Sequence, residues 1–200
     1  MPHSAPLFAA EPLWPTVFWC SYVGWFLMEC WVFNRDRRAA RGQNRDRGSF
    51  GVFVLVIPVG LTSAFYAAYS SPDTQIGAPP EPLFWSAIAL IWIGMALRLW
   101  AVLTLGRFFR TSVFIQDDHR LITSGPYRRL RNPSYTGGLI TFVGIGLALG
   151  NWLSLAAAVV AIMIAYGWRI RTEEEALRER FGQAYADYMR RSWALIPLIW

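Results

Sequence analysis

The sequence predicts an all-α integral membrane protein with about five transmembrane helices and a cytoplasmic C-terminal amphipathic helix. First, 54% of the 200 residues are hydrophobic, and they are concentrated in runs near the roughly 20 residues that a bilayer requires. Second, every arginine except Arg98 lies outside these runs. Third, the segment after the last run has the apolar spacing of an amphipathic helix.

Five apolar runs are the candidate spans, at residues 13–33, 50–69, 83–105, 135–149 and 152–168. Because only Gly150 and Asn151 separate the last two runs, we expect them to form a tight helical hairpin. The first run lacks the positive flank and the cleavage site of a secretory signal, so we expect it to be retained. We divide the chain into a membrane domain with three spans, residues 1–105, and a second half, residues 106–200.

The arginines indicate the orientation of the chain in the membrane. They lie between the first two runs, between the third and fourth runs, and after the fifth, whereas residues 1–12, 70–82 and 150–151 contain none. The positive-inside rule then places the N-terminus outside and the C-terminus in the cytoplasm, and we expect a bacterial inner membrane. Since topology accounts for the net charge of +6, we expect membrane lipids as partners and no nucleic acid.

The cysteines and histidines do not indicate a metal site. Cys20 and Cys30 lie within one apolar run and point in different directions on a helix, so we expect free thiols. His3 and His119 match no metal-ligand spacing.

Glu29 and Arg98 are the charged residues inside the predicted spans, and both lie in the cytoplasmic half. A lone charge at such a depth costs at least about 2.5 kcal/mol, so each should have a partner or a wet cavity. Either the two form a structural ion pair, or Arg98 extends to the interface, or they line the substrate cavity.

The segment at residues 169–191 places a carboxylate on an apolar face. At 100° per residue, Glu174 lies within about 60° of the apolar side chains of this helix. Those side chains are Ile170, Leu177, Phe181, Tyr185 and Tyr188. Glu174 must therefore find a cation or hydrogen-bond donors. Candidates are an internal salt bridge to Arg178 or Arg131, or a cationic ligand with an ammonium or sulfonium group; a helix lying on the lipid surface is a further alternative.

The stretch GPYRRLRNPSYTGG, residues 125–138, begins the fourth run. Pro133 is typical of a first helical turn, so we expect the fourth helix to begin there. A helix N-terminus beside Arg131 suits a carboxylate or a phosphate. Gly137 and Gly138 leave room either for a ligand or for a neighbouring backbone. Together with a cation site at Glu174, this stretch would suit a zwitterionic amino-acid group.

These two segments resemble the motifs of the isoprenylcysteine carboxyl methyltransferase and phospholipid methyltransferase superfamily. The first resembles its Gly-Pro-Tyr … Arg-His-Pro-x-Tyr-x-Gly motif, and RTEEEALRERFGQAYADY resembles its Glu-Glu-x-x-Leu-x-x-x-Phe-Gly-x-x-Tyr-x-x-Tyr motif. The resemblance covers roughly the last 100 residues. Asn132 departs from it, because it stands where the family usually has histidine and cannot become cationic.

The resemblance implies S-adenosylmethionine as the cofactor, bound by the second half of the chain, and a lipophilic substrate, free or attached to a protein, that enters from the membrane. The cofactor-binding residues implied are Tyr127, Arg131, Asn132, Pro133, Tyr135, Gly137, Glu173 and Glu174. Tyr185 joins this group because its ring suits a cation–π contact with a sulfonium.

The methyl acceptor stays open between two chemistries. A carboxylate acceptor needs no general base and would be held by an arginine, for which Arg178, Arg180 and Arg98 are candidates. An amine acceptor must lose a proton, for which Glu29 or Glu173 would be the base. Two other functions are alternatives: a sterol-reductase-like membrane oxidoreductase, which shares a similar junction, and a non-catalytic membrane scaffold or transporter.

Overall fold

The chain forms an α-helix at each of the five apolar runs. The computed structural model describes residues 5–38, 43–44, 49–109, 114–115 and 121–196. The helices in this part of the chain are α1 (Trp14–Arg38), α2 (Ser49–Ser70), α3 (Pro80–Leu105), α4 (Pro133–Ala148), α5 (Trp152–Phe181) and α6 (Gln183–Arg190). Two short strands, β1 (Gln43–Asn44) and β2 (Phe114–Ile115), pair in an antiparallel arrangement. The fourth helix begins at Pro133, as its sequence predicts.

Three of these helices are long and apolar enough to cross a membrane: Trp14–Arg35, Pro80–Phe108 and Trp152–Phe181. The apolar part of α2 is shorter, at Val54–Ser70. Helix α4 has 16 residues and is therefore roughly 24 Å long. The structure thus supports an all-α membrane protein with three candidate spans, fewer than the five that the apolar runs predict.

The predicted C-terminal amphipathic helix is not a separate element. Helix α5 continues without a break from the apolar run to Phe181, because no proline interrupts residues 168–181 and Gly167 is tolerated within the helix. Helix α5 ends before Gly182, whose φ of 51° lies in the left-handed region that favours glycine. Only α6 is separate, so the prediction of an independent helix beginning near Arg169 was wrong.

The predicted hairpin between α4 and α5 is present. Gly150 has a φ of 71°, and the Asn151 side chain accepts hydrogen bonds from the backbone N–H groups of Leu153 and Ser154. Asn151 also donates to the carbonyl oxygen of Ser71, 2.7 Å away. The turn therefore caps α5 and ties it to the end of α2.

The helices pack in the spatial order α1, α3, α4, α5, α2, with the most extensive contacts between α3 and α4. At their crossing, a side chain on Gly137 would lie 2.6 Å from the backbone nitrogen of Arg98. Phe18, Ile91 and Phe142 are among the fully or almost fully buried residues of one core that extends from α1 to α5. Both halves of the chain, residues 1–105 and 106–200, contribute to this core. Their division into two domains therefore stays a prediction.

Candidate active site

The stretch 125–138 forms a short turn that leads into α4. Residues Gly125–Arg128 form one 3-10 turn, which buries the Tyr127 side chain. The Tyr188 hydroxyl donates to the carbonyl oxygen of Tyr127 at 2.6 Å, which attaches α6 to this turn. Burial raises the pKa of Tyr127 well above its usual value and that of Tyr188 to about 12. Both hydroxyls are therefore neutral at physiological pH, and Tyr188 remains a donor.

Arg131 and Glu174 form an ion pair between this turn and α5. The Nε atom of Arg131 lies 3.0 Å from Oε1 of Glu174, and both side chains are nearly buried. Asn132 donates to the same oxygen at 3.4 Å. The two alternatives for an internal salt bridge are thereby resolved: Glu174 pairs with Arg131, while Arg178 is exposed.

Glu173, the neighbour of Glu174, belongs to a second cluster. Its Oε1 atom accepts from the Tyr135 hydroxyl at 2.5 Å and from Nη2 of Arg169 at 2.8 Å. Arg169 also donates through Nε to the Tyr135 hydroxyl at 2.9 Å. The Tyr135 ring lies 4.6 Å from that of Tyr166, so the cluster borders the apolar interior.

Each carboxylate of the glutamate pair has one oxygen held by the protein and one that is not. Both donors to Glu174 use Oε1, as do both donors to Glu173. Within the described part of the chain, neither Oε2 accepts a hydrogen bond. Nη2 of Arg131 likewise makes no hydrogen bond to any described residue. These groups of opposite charge can therefore receive a ligand without displacing the contacts that orient them.

The ion pair inside the spans is different, because its hydrogen-bonding groups are occupied. Arg98 donates to both oxygens of Glu29, at 2.5 and 2.6 Å. Its remaining nitrogen donates to the Ser134 hydroxyl at 2.8 Å. Arg98 is buried, so the first of the three alternatives for these residues, mutual pairing, is the one found.

Of the other predicted site residues, some are packed into the protein and some are exposed. Tyr185 is buried, and burial together with the Glu174 charge raises its pKa. Pro133 starts α4, and the open face of Gly137 is occupied by the α3 backbone. The side chains of Arg178 and Arg180, predicted to hold an acceptor carboxylate, are exposed. In addition, His3 and His119 lie outside the described residues, and no group of three or more potential metal ligands occurs within those residues.

Sequence reasoning missed two parts of this site. Arg169 is buried one turn before Glu173, and its i, i+4 spacing was visible in the sequence. The segment at residues 192–196, which pairs with the turn before α4, had no such signal.

Comparison with known proteins decides the family. Residues 83–184 match the family described as phospholipid methyltransferase, a stretch that runs from the start of α3 into α6. The chain belongs to the phospholipid methyltransferase family. The resemblance to the superfamily of isoprenylcysteine carboxyl and phospholipid methyltransferases is thereby confirmed for the half of the chain that carries both motifs.

Relatives of this phospholipid methyltransferase family member include isoprenylcysteine methyltransferases of eukaryotes. A probable protein-S-isoprenylcysteine O-methyltransferase of Oryza sativa subsp. indica is 38% identical over 114 residues, 56% of this chain and 60% of the relative. A protein-S-isoprenylcysteine O-methyltransferase of Xenopus laevis is 30% identical over 184 residues, 88% of this chain and 64% of the relative. The chain therefore spans less than two thirds of the length of either relative.

A solved structure of a eukaryotic intramembrane Ras methyltransferase, an isoprenylcysteine carboxyl methyltransferase, has the same fold. Its TM-score to this chain is 0.61 at 29% identity, covering 74% of this chain and 52% of that one. The similarity extends beyond the two motifs into the helices that surround them.

Proposed function

We propose that this protein transfers a methyl group from S-adenosylmethionine to a lipophilic acceptor at the cytoplasmic membrane face. One observation carries the proposal: Glu174 Oε2 and Arg131 Nη2 are oriented by other contacts yet unengaged within the described residues. A carboxylate and a guanidinium that are held beside each other suit the ammonium and the carboxylate of one amino-acid group. Family membership supports this function over the reductase and scaffold alternatives.

The residues present fit the cofactor. Glu174 would bind the ammonium group, and Arg131, at the N-terminal end of α4, would bind the carboxylate. Tyr135 and Tyr185 offer rings for the sulfonium. When bound, S-adenosylmethionine supplies a methyl group that leaves its sulfonium without an added proton donor. The chain's task is then to orient two reactants and exclude water, for which buried and pre-paired side chains are suited.

The contacts around the candidate bases favour a carboxylate as the acceptor. Both oxygens of Glu29 already accept hydrogen bonds from Arg98, so this carboxylate is poorly placed to take a proton from a substrate. Only Oε2 of Glu173 is left for an amine acceptor, which is the second candidate. A carboxylate needs no base. The names of the relatives, which are O-methyltransferases acting on protein-S-isoprenylcysteine, support the same choice.

In this proposal, the acceptor lies at the cytoplasmic interface, with α1 to α5 all embedded and the N-terminus outside. The arginine distribution supports that side, and exposed tryptophans mark the interface there. Trp31, Trp100 and Trp168 lie near those ends of the apolar runs that adjoin the arginine-rich segments, where tryptophan is favoured at a membrane surface. Arg98 precedes Trp100 by roughly 3 Å along α3, and Glu174 lies roughly 9 Å beyond Trp168 along α5. An amphiphile whose polar group lies at the interface would reach this site with its tail still in lipid.

The test combines cofactor binding with a comparison of acceptors. Calorimetry on the detergent-purified protein should show saturable binding of S-adenosylmethionine and S-adenosylhomocysteine. Labelled methyl should then transfer to an S-prenylated cysteine with a free carboxyl group, and not to the same compound blocked as its amide. Transfer to an aminophospholipid instead would select the amine alternative. If a folded sample binds neither S-adenosylmethionine nor S-adenosylhomocysteine, the reductase and scaffold alternatives would be favoured instead.

A further inference from the structure

The segment at residues 192–196, called here the C-terminal strap, runs along the turn before α4. Its Trp193 forms a parallel bridge with Leu130. The Arg131 backbone N–H donates to the Trp193 carbonyl oxygen at 2.8 Å, and the Trp193 N–H donates to that of Arg129 at 2.9 Å. Ala194 and Leu195 are buried, so the strap is packed against the rest of the protein.

Carbonyl oxygens of the strap accept from three side chains at the start of α4. Nη1 of Arg131 donates to the Ser192 carbonyl oxygen. Asn132 donates to that of Ala194 at 3.0 Å. The Thr136 hydroxyl donates to that of Leu195 at 2.7 Å. The strap thus contacts the N-terminal turn of α4 through both the backbone and the side chains.

Two of those three side chains also hold Glu174. Arg131 and Asn132 each donate to Glu174 Oε1 with one group and to the strap with another. The strap carbonyls therefore restrict the rotamers of both residues and keep Nη2 of Arg131 directed away from them. We propose that the C-terminal strap is a positioning element of the cofactor site, acting on the ligand through Arg131 and Asn132. This inference rests on the proposed function.

The strap and the bound cofactor should stabilise each other. If the strap must be in place for the cofactor to bind, then by reciprocity the bound cofactor must stabilise the strap. A segment that only packs against the protein, without orienting the site, would show neither effect. Affinity for the cofactor and exchange of the strap amides are therefore the two quantities to measure.

Thr136→Val tests the first direction, with Thr141→Val as its control. Both threonines lie buried on α4 and donate to the carbonyl four residues back, but only Thr136 reaches the strap. We expect Thr136→Val to weaken S-adenosylmethionine binding about 3- to 10-fold, the range for one lost hydrogen bond. Its KM for the cofactor should rise, while kcat at saturating cofactor and KM for the acceptor stay near those of Thr141→Val.

Hydrogen exchange on the unmodified protein tests the second direction and does not depend on how a variant folds. At a cofactor concentration of 100 Kd, peptides covering the strap should exchange more slowly, by up to about 100-fold. The Trp193 N–H, bonded to Arg129, is the reporter. A peptide from the hairpin at residues 149–153 is the control.

The two measurements separate failure of this inference from failure of the proposed function. If the unmodified protein does not bind S-adenosylmethionine, the proposed function is lost, and the strap inference with it. If it binds, but the strap exchanges at the same rate with and without the cofactor, the inference alone is overturned. Equal cofactor affinity of Thr136→Val and Thr141→Val would overturn it as well.

Discussion

Three glutamates next to apolar helix faces differ in how many of their oxygens are engaged. Both oxygens of Glu29 are bonded to Arg98, whereas Glu173 and Glu174 each have only Oε1 bonded within the described residues. A partly buried carboxylate stays charged at low cost only where cations or donors compensate it. Glu29 is therefore compensated by the protein, while the other two retain capacity for a ligand.

Glu174→Gln tests the assignment of the cofactor's ammonium group. Removing the charge leaves Arg131 without its counter-ion and the ammonium without a charged acceptor. We expect S-adenosylmethionine affinity to fall about 10- to 100-fold, the range for hydrogen bonds to charged groups. Glu175→Gln, at an exposed position one residue on, is the control and should bind within about twofold of the unmodified protein. Equal losses in both variants, measured by calorimetry, would contradict the assignment.

Arg98→Leu tests the pairing inside the membrane. Without Arg98, Glu29 is left as an uncompensated charge, which costs about 3–5 kcal/mol for a buried pair. We expect a large fall in the thermal unfolding temperature in detergent, and recovery of most of it in the double variant Arg98→Leu/Glu29→Leu. A double variant no more stable than the single one would refute the pairing. Methyl transfer by the recovered protein would assign the pair to stability, and folding without turnover would place the pair at the acceptor.

At the scale of elements, the site depends on how closely α3 and α4 approach each other. Gly137 lies where the α3 backbone passes, one turn before the Thr141 hydroxyl and two residues after Tyr135. The contact fixes how α4 is positioned along α3, and therefore where Ser134 and Tyr135 lie relative to Arg98. Packing of two helices is therefore part of the site's geometry.

Gly137→Ala should separate these two helices. Its new methyl group would lie 2.6 Å from backbone atoms of Arg98 and Gly94, which cannot move aside like a flexible side chain. We expect a destabilisation of about 1–3 kcal/mol from overpacking, seen as a lower unfolding temperature. Gly167→Ala on α5 is the control, since nothing lies within 4 Å of its Cβ position. Alanine there should be neutral or stabilising, because it favours the helix. Equal effects at both positions would contradict the close packing.

Local signals in the sequence were enough for the start of α4, for the turn into α5 and for part of the site, but not for the continuation of α5 to Phe181. Pro133 and the Gly150–Asn151 pair fix helix ends through their own backbone preferences, and the position of Glu174 on the apolar face follows from helical geometry. The partner of Glu174 could only be given as alternatives, because Arg131 is brought to it by folding. The strap was missed for the same reason: its carbonyls bond to α4 from about 60 residues away, and backbone acceptors leave no trace in residue type.

For the whole molecule, the charge distribution indicates one orientation. The segment between α2 and α3 contains no arginine, whereas arginines cluster around the site and in the last part of α5. Exposed tryptophans toward both ends of the apolar runs, such as Trp85 and Trp152 on one side and Trp100 and Trp168 on the other, mark the two interfaces. If this orientation holds, a soluble cofactor reaches the site from the cytoplasm while a lipophilic acceptor reaches it from the membrane.

Cysteine labelling of intact cells should establish this orientation. In a background with Cys20→Ser and Cys30→Ser, Gly77→Cys lies on the exposed segment between α2 and α3, and Gln183→Cys lies exposed at the start of α6. We expect a membrane-impermeant maleimide to label Gly77→Cys from outside, because the positive-inside rule keeps the arginine-rich side in the cytoplasm. Gln183→Cys should react only after permeabilisation, when both variants should label to the same extent. The opposite pattern would place Arg131 and Glu174 on the outer face, away from cytoplasmic S-adenosylmethionine, and would contradict the orientation and the proposed function together.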